Sequence, residues 1–443
     1  MNLIRRNVSI HMSLLYTLVF VGLSILAMPA SAELEIEITK GQGEAELIGV
    51  VPFGWEGSGQ KPYDLAAVIS ADLARTGRYA PIAPAEMLQK PTRGGDIDFS
   101  DWRIIDARYV VVGAVKPAGG SDVEIEFRVF NVLRGTQEMG YRMTAPRNNL
   151  RRSAHEISDL IYEKLTGVRG VATTRIAYVN VVGDRKNPSY RLIVADADGA
   201  NAKTMMDSSA PIMSPAWSPD SRKLAYVSFE NGNSQVFVQD LRSGARQRVS
   251  ARKGVNSAPA WSPDGKMLAL TLSKGDGNLD VYTLQLSNQV LRRLTEWPSI
   301  ETEPHWNAAG DAVYFTSDRS GQPQVYKIPA TGGRAQRITF EGSYNARPRL
   351  APDGKRLTVV HNDRGNYRIA IVDVERAYTQ VLSNGSQDES PSFAPNGEMI
   401  IYASKAGRRG VLSSVSADGR FQQQIASTEG DVREPAWSPF PLN

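Results

Sequence analysis

The chain has 443 residues, 41% of them hydrophobic, with a formal net charge of +4 and no cysteine. This is the composition of a folded protein with room for two or three domains. The absence of cysteine excludes disulfides, cysteine-ligated zinc and thiol nucleophiles. The small net charge gives no reason to expect nucleic acid or an anionic membrane surface as a partner.

Residues 1–32 have the pattern of a cleaved export signal. Arg5 and Arg6 precede an uncharged, mostly apolar run over 14–27, and Ala30-Ser-Ala32 forms a small-residue cleavage site before Glu33. The alternative is a transmembrane anchor, but that requires about 20 apolar residues. We therefore expect cleavage between Ala32 and Glu33 and a mature chain with no membrane span. Its net charge is +2, because 49 basic residues then face 47 acidic ones.

Residues 33–39 read Glu-Leu-Glu-Ile-Glu-Ile-Thr and alternate acidic and apolar side chains. Such alternation is typical of a strand with one buried face. Two interpretations fit this segment equally well. It is either a half-buried edge strand of the domain that follows, or an exposed segment that a partner captures by strand addition.

Residues 33–167 are predicted to form a small α/β domain, joined by a linker over 168–174 to the rest of the chain. Apolar runs and alternation predict its strands, and apolar residues at spacings of three and four predict its helices, each stopped by a glycine. The predicted elements are buried strands over 45–53 and 109–115, a hairpin over 123–132 and 139–144, and helices over 64–76 and 147–166.

From residue 175 onward one motif recurs: a proline, a bulky residue two positions later, and usually a turn of the Ser-Pro-Asp-Gly type. The bulky residues are Trp217, Trp261, Trp306, Leu350, Phe393 and Trp437, at spacings of 43–45 residues. Between them lie further short β-rich runs separated by turn residues. Four short antiparallel strands on such a period are typical of a β-propeller blade.

The two ends of the repeat region complement each other. The run at 175–180 matches the second strand of a blade and has no first strand before it. The last motif, at 435–437, is a first strand with no second strand after it. Joining them removes the open sheet edges and closes a ring of six blades. The predicted fold is therefore mostly β: a six-bladed β-propeller over 175–443, preceded by the small α/β domain.

The histidines give no sign of a metal or catalytic site. No two of His155, His305 and His361 have metal-ligand spacing, and the chain contains no nucleophile elbow or phosphate-binding loop. His155 is predicted to lie on the solvated face of the second helix. We expect no cofactor, no metal and no enzymatic activity.

Four glutamates are more conspicuous, because they precede the bulky residue in three repeats. They are Glu301, Glu303, Glu389 and Glu434. The repeat places them at one end of the ring, where a carboxylate pair for glycoside hydrolysis is conceivable. A polar rim around a protein-binding surface is the better interpretation.

Several segments together resemble the TolB family of the periplasmic Tol-Pal system. They are the export signal, the α/β domain, the six repeats, and the stretches Ile48-Gly-Val-Val-Pro-Phe53 and Met213-Ser-Pro-Ala-Trp-Ser-Pro-Asp220. The resemblance covers the whole chain. It implies a non-enzymatic periplasmic protein that links the peptidoglycan-associated lipoprotein Pal with TolA of the inner membrane. Such a protein supports outer-membrane integrity and constriction during cell division.

The resemblance also implies two binding regions. In that family the Pal-binding surface is built from loops leading into the strands that carry the recurring tryptophan, at one mouth of the propeller. The corresponding residues are Val255, Asn256, Ser257, Ala258, Glu301, Thr302, Glu303, Asn345, Arg347, Glu389, Arg433 and Glu434. The segment that responds to TolA corresponds to Glu33, Leu34, Glu35, Ile36, Glu37, Ile38 and Thr39. We expect a monomer, with other envelope proteins as further candidate partners.

Two rival functions remain open. One is the propeller lid of a serine peptidase, whose repeats are similar; no hydrolase domain is recognisable on either side of the repeats. The other is a hydrolase, a lyase or a small-molecule-binding propeller that uses the central channel.

Overall fold

The structure is a computed structural model that describes residues 37–41, 45–184, 186–273, 277–425 and 430–441. The predicted export signal, its cleavage position and residues 33–36 lie outside the described residues. No helix within the described ranges combines the length and apolarity needed to cross a membrane.

The chain begins with strand β1 (Glu37–Gly41), which is followed by the α/β domain. The strands of that domain are β2 (Glu46–Val50), β3 (Gly54–Trp55), β4 (Tyr79–Pro81), β5 (Tyr109–Pro117), β6 (Asp122–Asn131) and β7 (Thr136–Pro146). Its helices are α1 (Leu65–Arg75), α2 (Phe99–Ile104) and α3 (Leu150–Thr166), with short 3-10 turns at Gly94–Asp96 and Arg147–Asn149. Both predicted long helices and the predicted hairpin are confirmed, although α3 begins three residues later than predicted.

Local sequence explains where the helices start and stop. Asp64 caps α1, since its Oδ1 accepts the amide of Ala67 at 3.3 Å. Gly77 and Gly167 follow α1 and α3 with φ of 68° and 74°, left-handed values that glycine adopts without strain. The apolar faces of α1 and α3 pack on one side of the sheet, and Trp102 of α2 is buried on the other.

The sheet of the α/β domain has the strand order β4-β2-β5-β6-β7. Strand β2 is parallel to β4 and β5, whereas β5, β6 and β7 are antiparallel. Short β3 pairs with the end of β5. Helices cover both faces of this sheet. Strand β5 is therefore buried on both sides, which accounts for its continuous apolar run.

The propeller begins with three strands that belong to its sixth blade: β8 (Arg175–Val182), β9 (Ser189–Asp196) and β10 (Lys203–Ser208). Five complete blades follow, each a four-stranded antiparallel sheet in sequence order. Blade 1 contains β11 (Ile212–Trp217), β12 (Lys223–Ser228), β13 (Gln235–Asp240) and β14 (Arg246–Ser250). Blade 2 contains β15 (Asn256–Trp261), β16 (Met267–Ser273), β17 (Leu279–Gln285) and β18 (Leu291–Arg293). Blade 3 contains β19 (Glu301–Trp306), β20 (Ala312–Ser317), β21 (Gln324–Pro329) and β22 (Gln336–Arg337).

The remaining strands complete the ring. Blade 4 contains β23 (Asn345–Leu350), β24 (Arg356–Asp363), β25 (Asn366–Asp373) and β26 (Thr379–Val381). Blade 5 contains β27 (Glu389–Phe393), β28 (Met399–Ala406), β29 (Arg409–Ser416) and β30 (Phe421–Ile425). The last strand, β31 (Asp431–Trp437), is the inner strand of blade 6 and pairs antiparallel with β8. The predicted six-bladed ring and its closure by the two ends of the repeat region are confirmed.

The recurring tryptophan has a bridging role between neighbouring blades. Its indole N–H donates to a backbone carbonyl of the preceding inner strand: Trp217 to Ala436 at 3.0 Å, and Trp261 to Ala216 at 3.1 Å. Trp306 repeats the contact in the next blade. Each such tryptophan thus fills the space between two blades and satisfies a polar group there.

Strand β1 adds a fifth strand to blade 5, where it pairs antiparallel with β30. Glu37 lies opposite Gln424, and Gly41 lies opposite Phe421. Residues 37–41 therefore belong to the propeller sheet, whereas the sequence placed them in the α/β domain. The interpretation as an edge strand of the α/β domain is wrong: the strand is at an edge, but at the outer edge of a blade.

A buried ion-pair cluster joins the two domains and corrects the prediction for His155. The ring is buried, with Nδ1 2.7 Å from Asp72 Oδ2 of α1 and Nε2 3.8 Å from Asp198 Oδ2. Asp198 follows β9 of the propeller and pairs with Arg151, while Asp72 pairs with Arg75. The side of α3 that carries His155 faces the propeller and not solvent. Because arginines pair with both carboxylates, the cluster is an interdomain ion-pair network.

This burial makes stability depend on pH. Burial lowers the pKa of His155, so the folded protein holds the ring neutral, whereas an unfolded histidine takes up a proton near pH 6.5. Stability is therefore complete above pH 6.5 and is lost as the pH falls below it, by up to about 1.4 kcal/mol per pH unit for this one group. Urea unfolding at pH 7.5, 6.5 and 5.5 measures the slope, which should be shallower in His155→Gln. An identical slope in the variant would contradict the assignment.

Candidate functional site

The six inner strands (β11, β15, β19, β23, β27 and β31) begin at the same end of the ring, which we call the mouth. The hairpins that join the second and third strands of each blade lie at this end too. The opposite end carries the Pro-Asp-Gly turns and contacts the α/β domain and the linker. Arg78 Nη2 of the α/β domain donates to Glu398 Oε2 at 2.8 Å. Asn396 Nδ2 donates to the carbonyl of Arg169 in the linker at 3.0 Å. Eleven of the twelve predicted Pal-binding residues lie in the inner strands, where loops were predicted; Val255 directly precedes β15.

Three of the predicted Pal-binding residues are buried and do not face a partner protein. Asn256, Glu301 and Asn345 are each 0% exposed and occupy the same position, five residues before the bulky residue. Asn256 Oδ1 accepts the hydroxyl of Ser250 at 2.6 Å, and Asn345 Nδ2 donates to the carbonyl of Glu341 at 2.8 Å. The prediction that these side chains line the mouth is wrong. Asn256 and Asn345 bond atoms of the loop before their strand, and Glu301 pairs with Arg319 of the hairpin after β20. They hold the mouth loops in shape.

A left-handed backbone conformation recurs three residues before every bulky residue. The φ angles lie between 48° and 56° at Ser214, Ala258, Glu303, Arg347, Ser390 and Glu434. Each inner strand has a register shift here: in blade 2, Ser257 pairs with Thr271 but Ala260 pairs with Ala269. A non-glycine residue in this region is strained by about 1–2 kcal/mol, so its repetition in all six blades indicates a functional or packing constraint.

The side chains at this position form a charged network across the axis of the ring. Arg347 Nε lies 3.0 Å from Glu303 Oε1, and its Nη2 lies 2.9 Å from Glu434 Oε2, two blades away. Arg347 also donates to Ser390 Oγ, and Glu434 accepts the backbone amide of Ser214 at 2.9 Å. The two carboxylates keep the pKa of Arg347 above its ordinary value despite burial. This network connects five of the six blades.

An open pocket of about 920 Å³ lies at the mouth, with Glu303, Arg347 and Glu434 among the residues that line it. Its rim carries Glu389 and Arg433, which are both exposed. Five predicted residues of blades 3 to 6 thus line one cavity: Glu303, Arg347, Glu389, Arg433 and Glu434. Those of blade 2, Val255 to Ala258, lie on the far side of the ring and do not line it.

The mouth also exposes large apolar side chains that the sequence analysis missed. Nine such residues are exposed on the described part of the propeller, and six lie at the mouth: Met213, Val255, Trp297, Ile300, Phe340 and Tyr367. Only Val255 was predicted. The loops before β19 and β23 carry three of the others, and their lengths and polar composition gave no sign that these side chains would remain uncovered. Apolar groups concentrated in this way mark an interaction surface.

Together, the architecture and this surface define the class: a two-domain propeller protein with a charged pocket and an apolar rim at the open end of the ring. Residues 34–138 match the family model described as the TolB amino-terminal domain. Residues 162–441 match the model described as the TolB beta propeller domain. The chain belongs to the TolB family.

Known relatives are similar over nearly the whole length. The Tol-Pal system protein TolB of Xanthomonas campestris pv. campestris (strain B100) is 47% identical over 427 residues, which are 95% of this chain and 97% of that protein. The protein of the same description from Xanthomonas oryzae pv. oryzae (strain KACC10331 / KXO85) is 46% identical over the same shares. The crystal structure of TolB from Acinetobacter baumannii is 39% identical, with a TM-score of 0.85, covering 92% of this chain and 100% of that one.

Proposed function

We propose that this protein is the periplasmic protein-binding component of a Tol-Pal system. In this proposal the mouth of the propeller binds Pal, and the N-terminal segment over 33–39 engages TolA. The protein then serves outer-membrane integrity and constriction during division. The observation that carries the proposal is the concentration of exposed apolar side chains at the end of the ring that also holds the charged pocket.

The composition of the mouth suits protein recognition. Trp297 and Phe340 are 51% and 59% exposed, and arginines lie over both rings: Arg319 over Trp297 at 5.2 Å and Arg337 over Phe340 at 5.2 Å. Tryptophan and arginine are the residue types that most often dominate binding energy at protein interfaces. A central pocket with a charged floor and an apolar rim can accept a protruding loop of a partner.

The same geometry argues against glycoside hydrolysis. Glu303 and Glu434 both form ion pairs with the guanidinium of Arg347, at 3.0 and 2.9 Å, and Glu301 pairs with Arg319. A glycosidase needs two carboxyl groups that face the scissile bond of the substrate. Three of the four glutamates are instead paired with arginines of the same ring. The network therefore supports the binding function over the hydrolytic one.

The pairing of β1 with β30 supports the role of the N-terminal segment. Residues 37–41 already form an added strand at the edge of a blade, with β30 as their one neighbour among the described strands. A partner can therefore capture this segment by strand addition at its outer edge, or by displacing it from β30.

Removal of residues 33–40 tests this part of the proposal. We expect the truncated mature protein to lose binding to TolA in a pull-down or by calorimetry, because the captured strand is gone. Its fold should remain, since an outer-edge strand is taken away and no inner strand is disturbed. Binding to Pal is the control and should be unchanged. Undiminished TolA binding by the truncated protein would rule out strand capture.

A further inference from the structure

The excess positive charge of the mature chain is concentrated in one stretch of the propeller. Residues 241–254 carry no acidic side chain and five basic ones: Arg242, Arg246, Arg248, Arg252 and Lys253. Without this stretch the mature chain has 44 basic and 47 acidic residues, a net charge of −3. The stretch runs from the hairpin before β14, at the opposite end of the ring, along this outer strand to the mouth, where it leads into β15.

The two basic side chains at the mouth, Arg252 and Lys253, have no counterion in the protein. Both residues are exposed, and no carboxylate oxygen of the described part of the chain lies within 4.0 Å of either charged group. Arg246 of β14, in contrast, pairs with Glu230 at 2.8 Å. Exposed cations without an internal partner are available to acidic groups of another molecule.

The backbone that carries these two cations is fixed by side-chain hydrogen bonds. Asn256 is 0% exposed; its Oδ1 accepts the amide of Arg252 at 2.9 Å, and its Nδ2 donates to the Arg252 carbonyl at 2.7 Å. The amide of Val255 donates to Ser273 Oγ at 2.7 Å. Each of these bonds uses a main-chain atom of the loop, so the side chains of Arg252 and Lys253 stay free. A loop that is already ordered loses little conformational entropy when a partner binds.

The charge of this loop sets it apart from its equivalents. Of the six loops that lead into the inner strands, only the one before β15 contains a basic residue. The loops before β19 and β23 contain Glu296 and Glu341, and the side chains that they expose are mainly apolar: Trp297, Ile300 and Phe340. The mouth is therefore cationic where blade 2 begins and apolar where blades 3 and 4 begin.

From this distribution we propose that the loop over 251–255 docks an acidic surface of the protein that binds the mouth. The inference rests on the proposed function, in which that protein is Pal, and it adds the chemistry of the contact. Acidic groups of Pal meet Arg252 and Lys253, while its apolar groups meet the exposed side chains of the next two loops. Such complementarity mainly raises the association rate, and salt weakens it. Because one loop alone is cationic, it also fixes how the partner is rotated about the axis of the ring.

Association kinetics of the mature protein with purified Pal, measured by surface plasmon resonance at about 0.02 M and about 0.5 M sodium chloride, test the docking loop. The double variant Arg252→Glu, Lys253→Glu should associate about tenfold more slowly at low salt, and the difference should shrink at high salt, where charges are screened. Arg242→Glu is the matched control: Arg242 is exposed on the same blade but lies at the opposite end of the ring. It should associate like the unmodified protein. All three proteins should melt together, since the altered side chains are exposed.

The outcomes separate this inference from the function on which it rests. Equal association rates for the double variant and the unmodified protein at low salt would overturn the docking loop and leave Pal binding intact. Absence of Pal binding by the unmodified protein would contradict the proposed function and the docking loop with it. Vesicles containing phosphatidylglycerol form the second arm, and the unmodified protein should not bind them. Vesicle binding that the double variant loses, together with normal association of that variant with Pal, would make the loop a membrane contact and overturn the inference.

Discussion

A chain truncated after Arg433 is expected to lose most of the stability of its propeller. Strand β31 is the inner strand of blade 6, and its residues 434–437 carry part of the pairing with β8 and the indole N–H of Trp437 that donates to Thr174 Oγ1 at 2.8 Å. The truncation also removes Glu434 from the charged network. Opening the ring exposes the edge of β8 and the faces between blade 6 and its two neighbours, blades 5 and 1. We expect a loss of at least about 5 kcal/mol, a large part of a typical folding free energy.

Circular dichroism melting of the truncated and full mature chains measures this loss. Removing β1 is the matched control, because β1 is the outer strand of its blade and leaves the ring closed. Its removal should lower the melting temperature far less. A protein lacking residues 434–443 that melts together with the full chain would show that β31 does not close the ring.

Ala258→Arg is expected to abolish Pal binding while the protein stays folded. Ala258 lies in the inner strand of blade 2 with φ of 48°, and the equivalent residue of blade 4, Arg347, adopts φ of 55°, so this backbone accepts an arginine. Ala258 is only partly buried, so the new side chain can extend into the mouth. There it would meet the partner with steric bulk and an unpaired charge. We expect binding to weaken at least ~100-fold, or about 3 kcal/mol.

Calorimetric titration with purified Pal measures the effect. Gln289→Arg is the matched control: Gln289 belongs to the same blade, has φ of 58° and is exposed, but it lies in the hairpin between β17 and β18 at the opposite end of the ring. It should bind Pal like the unmodified protein. Normal binding by Ala258→Arg together with weakened binding by Gln289→Arg would mean that the wrong end of the ring has been assigned.

The repeat made the propeller predictable, because each blade has the same strands and turns at the same spacing. The period of 43–45 residues and the unmatched strands at its two ends sufficed to give six blades and their closure. Repetition also placed the residues that precede the bulky positions at one end of the ring. The repeat could not predict which side chains of an inner strand are buried and which face the channel. Asn256, Glu301 and Asn345 are polar yet fully buried, because their partners are atoms of the adjoining loops.

Contacts between distant parts of the chain could not be predicted from the sequence. Helical periodicity identified the apolar face of α3, but not that the propeller covers the side that carries His155, which is why His155 was misplaced. Alternation identified β1 as a strand, but not its pairing with residues 421–424, nearly 400 positions later. The bond between Arg347 and Glu434 likewise depends on the closed ring, which brings blades 4 and 6 within reach of each other.

Hydrogen–deuterium exchange of the mature protein with and without Pal tests whether the mouth is the Pal-binding surface. We expect slower exchange on Pal binding in the loops and strand starts of the mouth, over residues 251–258, 296–303 and 340–347. The hairpins at the opposite end, such as residues 286–290, should exchange at the same rate in both samples. Protection confined to the α/β domain or to the opposite end, with the mouth unchanged, would contradict the assignment of the mouth as the Pal-binding surface.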